Sequence, residues 1–320
     1  MREESNQGRV PIRPPARLAV VGLGKMGVPM ALRLAQAGYG VRGHDASFAA
    51  RERLPATAGV TLFEDVHEAI SGARAVITML PDGKAVRAVV DAILPGLAPA
   101  TVIVDMSSSA PVGTRELGET LTAAGVRFVD APVSGGVRRA LDGTLAIMTG
   151  GDPAVIDEVE PILATMGRSI FRTGPIGSGH AMKALNNYVS GAGLIAALEA
   201  LRVGRAFGLD PFMIVDVLNA STGKNNSTEN KLKQFVLSES FASGFSLALM
   251  AKDIRTADDL ASALGVSTPL ADRTADLWDE AARTLGAGAD HTEIDRHLGA
   301  APEPSRPRGA SHPSSKVVMP

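Results

Sequence analysis

The chain has 320 residues, 45% hydrophobic and 21% charged, a length that accommodates two domains and a composition that supports a substantial core. Its 32 Lys and Arg against 34 Asp and Glu leave a formal net charge of −2, which argues against a polycationic surface for nucleic acid. No cysteine is present, so disulfides, thiolate metal sites and a cysteine nucleophile are excluded, and a reducing, cytoplasmic setting is expected.

Residues 1–16 are charged and lack an apolar run, so they read as a disordered tail and not as a secretory signal. From Arg17 onward, short aliphatic runs alternate with helix-period segments. The runs are Leu18–Val21, Gly40–His44, Ala75–Met79, Thr101–Asp105, Arg127–Asp130 and Thr144–Thr149. Alternation of this kind predicts parallel strands covered by helices. Beyond Gly177 the strand signal stops. Ser178–Phe207 reads as one long helix, with further helices at Pro211–Ala220, Ser246–Leu264 and Thr268–Leu285, each bounded by Gly, Pro, Ser or Thr. Residues 300–320, rich in Pro and Ser, read as a second disordered tail. No apolar stretch reaches the roughly 20 residues of a membrane span, so no membrane partner is expected.

Gly22-Leu23-Gly24-Lys25-Met26-Gly27 follows the first strand and opens a helix. In such a G-x-G-x-x-G run the first glycine permits a tight turn, the second lets the backbone approach a pyrophosphate, and the third packs the helix on the strand. The first-turn amides then face the anion. Asp45 ends the second strand, where it would accept hydrogen bonds from the adenosine ribose and repel a 2′-phosphate, so NAD is expected ahead of NADP. A solvated turn aspartate would look the same, and nearby Arg42 and Arg51 keep NADP open. Met79-Leu80-Pro81 and Asp105-Met106-Ser107-Ser108-Ser109 end other strands at the same carboxyl edge. The fold class expected is therefore α/β: a Rossmann-type dinucleotide-binding domain over 17–176, then a long interdomain helix and an all-α C-terminal domain over 177–299.

Four ordered motifs carry a resemblance. Gly22 to Ala31, Asp130-Ala131-Pro132-Val133-Ser134-Gly135-Gly136, Gly177-Ser178-Gly179 with Lys183 and Asn187, and Lys252-Asp253 together resemble the β-hydroxyacid dehydrogenases from about Arg17 to His297. That family includes 3-hydroxyisobutyrate dehydrogenase and tartronate semialdehyde reductase. The resemblance implies that Lys183 is the catalytic lysine, that Asn187 orients the substrate, and that Ser134, Gly135 and Gly136 hold its carboxylate. It also implies that Leu80, Pro81 and Ser108 line the nicotinamide end, with Met79 beside them, and that Lys252 contacts the cofactor from the second domain. Asp45 followed by Ala46, where NADP-using members commonly have Asn then Arg, again implies NAD. Two departures stand out. Ser108 replaces a frequent Thr, and Val137-Arg138-Arg139-Ala140 replaces small residues beside the carboxylate loop. Arg138 and Arg139 are either solvated or hold a second carboxylate, a hydroxyl-rich chain or a phosphate at the substrate's far end.

Lys183 and Asn187 are four apart on the long helix and share one face, which Gly191 continues, leaving space for a bound molecule. The opposite face, with Met182, Leu185, Val189 and Ala196, reads as buried. The helix alone does not separate Lys183 from a surface lysine; the resemblance does. A free lysine, with a pKa of about 10.4, is too protonated to act as a base near neutrality, and desolvation beside a cationic nicotinamide would bring it down. His180, one turn earlier, could tune Lys183, cap the helix or face solvent. His291, Glu293 and His297 lack the spacing of a helical metal pair, so no metal is expected. No G-x-S-x-G elbow occurs. Ser221 to Ser227 reads as an interhelical loop or, by resemblance, as the border of the active-site entrance. The expected enzyme oxidises a short β-hydroxy acid with NAD and forms a homodimer or homotetramer. The alternatives are an NADPH-dependent reductase of tartronate or succinic semialdehyde, an imine reductase, which usually lacks the lysine, and a non-catalytic dinucleotide-binding module.

Overall fold

The aliphatic runs form strands in a computed structural model that describes residues 10–54, 59–99, 101–286 and 288–300. The first part of the chain alternates as expected. It runs β1 (Arg17–Val21), α1 (Gly27–Gln36), β2 (Gly40–His44), α2 (Phe48–Arg51), β3 (Val60–Phe63), α3 (Val66–Ile70), β4 (Ala75–Thr78), α4 (Gly83–Ile93), β5 (Val102–Asp105), α5 (Pro111–Ala123) and β6 (Arg127–Asp130). It continues through β7 (Val133–Ser134), α6 (Gly136–Asp142), β8 (Leu145–Gly151), α7 (Pro153–Ala164) and β9 (Gly167–Gly174). Among the described residues these strands make one nine-stranded sheet in the order β3-β2-β1-β4-β5-β6-β8-β7, with β9 on β8. Strands β1 to β6 are mutually parallel, and β8 runs antiparallel to β6 and β7.

Strands β4 and β5 are buried at every position, which explains their Val, Ile and Ala content up to the terminal Thr78 and Asp105. Their pairing aligns the strand ends: Val21 with Thr78, Thr78 with Asp105, and Asp105 with Asp130. The loops that follow therefore start side by side along one edge, where doubly wound sheets bind ligands.

The second part is helical: α8 (Ser178–Phe207), α9 (Pro211–Ala220), α10 (Asn226–Asn230), a π-helical turn (Leu232–Val236), α11 (Leu247–Ala263), α12 (Pro269–Leu285), a short 3₁₀ turn (His291–Glu293) and α13 (Ile294–Ala300). Pro at the first helical position of α9 and α12, and the Asp210 side chain on the Met213 amide, fix two of these starts. Trp278 is fully buried in the core between α8, α11 and α12, with Leu194, Leu198, Leu201 and Ile254.

Two expectations are corrected. Val10–Ala16 is not tail: Ile12 is only 2% exposed, its amide donates to the Glu158 carbonyl at 2.8 Å, and its own carbonyl accepts the Tyr39 hydroxyl at 3.0 Å. The rest of that expected tail, 1–9, and residues 301–320 lie outside the described residues. The second correction concerns α8. Met182, Leu185, Val189 and Ala196 are exposed, while Lys183, Asn187, Gly191, Leu194, Leu198 and Leu201 form the buried stripe. The helix turns its polar residues inward because they face the site, and leaves an aliphatic stripe outside.

Candidate active site

Gly22 leaves β1 with φ +101°, and a Cβ there would meet the Met79 carbonyl oxygen at 2.3 Å. A Cβ on Gly27 would stand 1.8 Å from the Gly22 carbonyl oxygen, so only glycine lets α1 start against the turn. Gly24 differs, because nothing lies within 4 Å of its Cβ position and open space faces its backbone. The electropositive start of α1 borders that space, with Lys25 exposed and Met26 half-buried at its rim. Leu23 is buried, and its amide donates to Asp45 Oδ2 at 2.8 Å, while Asp45 Oδ1 accepts the Ser47 amide at 2.8 Å. A carboxylate offers about four acceptor positions, so Asp45 keeps capacity for a ribose diol beside the loop. Arg42 is stacked on Phe63 and donates to the Glu68 and Ala69 carbonyls; Arg51 binds the Asp45 carbonyl and reaches Glu64 at 3.5 Å. An open glycine cradle with an acidic neighbour fits a dinucleotide.

The next loops along the edge are tied together. The Leu80 amide donates to Ser107 Oγ at 2.9 Å, and buried Asp105 accepts Thr78 Oγ1 at 2.9 Å, the Ser107 amide at 3.0 Å and Ser109 Oγ at 3.0 Å. Asp130, at the end of β6, accepts the Gly177 amide at 2.7 Å and the His180 amide at 2.9 Å, so a sheet carboxylate caps α8 from outside the helix. Burial holds the Asp130 carboxyl above the usual carboxylate range, against the pull of His180 and those two amides. His180 is itself buried, its ring between Thr114 Oγ1 at 2.9 Å and the Ser107 carbonyl at 3.2 Å. Of the three roles open to it in the sequence, exposure to solvent is excluded.

One turn further along α8, Lys183 is 9% exposed and its Nζ donates to Asn187 Oδ1 at 3.4 Å. Asn187 Nδ2 donates to Asp253 Oδ2 at 2.6 Å, and Ser108 Oγ donates to Asp253 Oδ1 at 2.8 Å. Lys252 reaches from α11 to the carbonyls of Pro81, at 3.2 Å, and Ser108. Burial pushes the Lys183 ammonium below its ordinary value, Asp253 pulls it back up, and Lys252 adds to the depression. Helix α11 thus closes the helical part onto the loops after β4 and β5, with Lys183 inside the closure. Gly191 leaves no room for a ligand, because a Cβ there would meet Ile254 Cδ1 at 2.4 Å and Trp278 Nε1 at 3.3 Å, which corrects that expectation.

Ser134 ends β7, half-buried, and Gly135 and Gly136 follow with φ of 135° and 68°, conformations that favour glycine and expose successive amides. Arg138 and Arg139 are both exposed, and the Arg139 stem covers Gly135, where a Cβ would stand 2.5 Å from its Cδ. Asp253 and Asp130 are the site residues to which the sequence assigned no role. Each belonged to a quoted motif, but its partners lie 47 to 145 positions away. Among the described residues, no group of three His, Cys, Asp or Glu could hold a metal ion, and no helix is long and apolar enough to cross a membrane.

A nucleotide cradle at one sheet edge, shut by a helical domain over a buried lysine, defines a nicotinamide-dependent dehydrogenase. Residues 17–174 match the family described as the NAD binding domain of 6-phosphogluconate dehydrogenase, and residues 177–298 match that described as NAD-binding of NADP-dependent 3-hydroxyisobutyrate dehydrogenase. The chain belongs to the β-hydroxyacid dehydrogenase family and is an NAD(P)-dependent oxidoreductase of hydroxy acids. It is similar to an NAD-dependent L-serine dehydrogenase of Pseudomonas aeruginosa, 34% identical over 82% of this chain and 91% of the relative. A 2-(hydroxymethyl)glutarate dehydrogenase of Eubacterium barkeri is 32% identical over 86% of this chain and 91% of its own. The solved Mycobacterium tuberculosis 3-hydroxyisobutyrate dehydrogenase with L-serine superposes with a TM-score of 0.83 at 35% identity, covering 89% of this chain and 99% of that one.

Proposed function

We propose that the enzyme oxidises a 3-hydroxypropanoate substituted at carbon 2, 3-hydroxyisobutyrate being the simplest fit, to its semialdehyde with NAD. The observation that carries this reading is the buried Lys183, whose ammonium burial pushes below its ordinary value and which is held against Asn187, itself bound to Asp253. A bound nicotinamide would supply the hydride acceptor for the carbinol carbon. Lys183 Nζ takes the hydroxyl proton as the carbonyl forms, Asn187 orients the substrate, and Ser134 Oγ with the Gly135 and Gly136 amides receives its carboxylate. Gly22 to Gly27, Met79 to Pro81, Ser108 and Lys252 hold the dinucleotide. Asp45 favours NAD, since Arg42 is turned away and Arg51 is shared with Glu64. That choice favours oxidation over an NADPH-driven semialdehyde reductase.

The substrates named for the relatives share one skeleton, a hydroxymethyl group on the carbon that bears the carboxylate, and differ in the third substituent: methyl, ammonium or carboxyethyl. The exposed α8 stripe supports a homodimer or homotetramer built on a second copy of the chain, and a cysteine-free chain suits the cytoplasm. Replacing Lys183 with Ala should lower kcat about 10²- to 10⁴-fold, the range that the loss of one general base typically costs, while NADH still binds by fluorescence titration. Turnover at the wild-type rate would overturn the assignment.

A further inference from the structure

Past Asn187 the polar stripe of α8 continues to Ser190, seven residues and about 10 Å of helix beyond Lys183 on the same face. Lys231, in the bend between α10 and the π-helical turn, donates from Nζ to Ser190 Oγ at 3.3 Å. That hydroxyl is its one protein partner among the described residues, and an ammonium has three donors. The neighbouring charge, Asp290, is already engaged: its oxygens accept Ser243 Oγ at 2.8 Å, the Gly244 amide at 2.9 Å, the Thr292 amide at 3.0 Å and Thr292 Oγ1 at 2.6 Å. His291, on the same turn, is 3% exposed; its Nδ1 faces Ser243 Oγ at 2.9 Å and the Phe245 carbonyl at 3.3 Å, and its Nε2 is buried without a partner. Burial and Lys231 both keep His291 from protonating, so it adds no competing positive charge.

We infer that Lys231 forms a distal anion subsite that reads the carbon-2 substituent, and that the preferred substrate carries a second carboxylate there on a short chain. The inference rests on the hydroxy acid reading of Lys183 and deepens it. A half-buried ammonium with two unclaimed donors and no ion pair is costly until an anion completes it, and its position fixes the direction from which that anion comes, along α8 past Asn187. Burial pushes Lys231 down to about 8, Asp290 opposing, which leaves it mostly charged at neutral pH and therefore able to bind an anion. The same charge repels the ammonium substituent of L-serine. Arg138 and Arg139, the cations that the sequence offered for this task, are exposed beside the Ser134–Gly136 loop proposed to receive the first carboxylate.

The test measures two quantities on the full chain. Calorimetry in the presence of NADH compares glutarate with isobutyrate, neither of which reacts; glutarate should bind at least about 10-fold more tightly, and Lys231→Met should erase the difference while Lys231→Arg retains it. Kinetics compares kcat/KM for 2-(hydroxymethyl)glutarate with that for 3-hydroxyisobutyrate. The ratio should fall about 10- to 100-fold in Lys231→Met, the range that a charge-assisted hydrogen bond commands. Equal binding of the two probes by the wild type, or a kinetic ratio that the substitution leaves unmoved, overturns the subsite. Turnover of neither hydroxy acid with either NAD or NADP overturns the reading of the reaction instead, and calorimetry still decides the subsite by itself.

Discussion

Lys183 and Asp253 hold each other in tension. Burial drives the lysine toward its neutral form while the carboxylate, through Asn187, stabilises its charge. Oxidation needs the neutral amine, so kcat/KM for the hydroxy acid should rise with pH through a pKa below 10.5, the ordinary lysine value, and level off above it; reduction of the semialdehyde should fall over the same interval. In Asp253→Asn the upward pull is gone, and the midpoint of the oxidation profile should move to lower pH while kcat drops. A purely structural role for Asp253 would lower kcat without moving the midpoint, so the pH profile separates the two. The other charge facing this ammonium is Lys252, whose repulsion acts in the same direction as the substitution.

At the level of elements, the junction of β6 and α8 sets where Lys183 stands. Gly179 lets the first turn of the helix rest on the sheet: a Cβ there would lie 2.4 Å from the Met148 carbonyl oxygen and 2.8 Å from Asp130 Oδ2. Gly179→Ala should therefore cost about 1–3 kcal/mol, as overpacking does, read as a lower midpoint in urea; an unchanged midpoint would show that the junction yields. The helices were legible where their ends carry local signals. The bounds expected for α8 and α9 hold to the residue, because Gly177, Gly208, Asp210 and Pro211 mark them. Strand β9 carries mixed polar and apolar residues on a largely exposed strand, and β7 has two residues, so neither offers a periodic pattern. Strand β3, four residues with an exposed Leu62 at its centre, is too short to show a period. The inward face of α8 misled because amphipathicity assigns polar residues to solvent, and here they line a site. Lys183 and Asn187 were legible as neighbours at i and i+4; Asp253 was not, since it meets Asn187 across 66 positions.

For the whole molecule, the outer stripe of α8 and the adjoining α9 is an apolar surface that the site does not explain. Val189 is 68% exposed and Phe207 83%, with Met182, Leu185, Phe212 and Met213 also exposed along the same two helices. Apolar surface of this kind is what the proposed oligomer would cover, and a twofold axis would set the stripe against its own copy. Light scattering on the purified chain should give a mass at least twice 33.1 kDa, and Val189→Asp combined with Phe207→Asp should reduce it to the monomer. A wild-type monomer would reject the interface.

The aligned ends of β1, β4, β5 and β6 have an evolutionary consequence. On the proposed reading, most of what the dinucleotide needs starts from that common line, through backbone and short loops, with Asp45 after β2 and Lys252 of α11 added from outside it. The group inferred to distinguish one hydroxy acid from another, Lys231, comes from later in the chain, after α10. Selection can therefore retune what the enzyme consumes within that stretch of the helical domain while its redox currency is inherited unchanged.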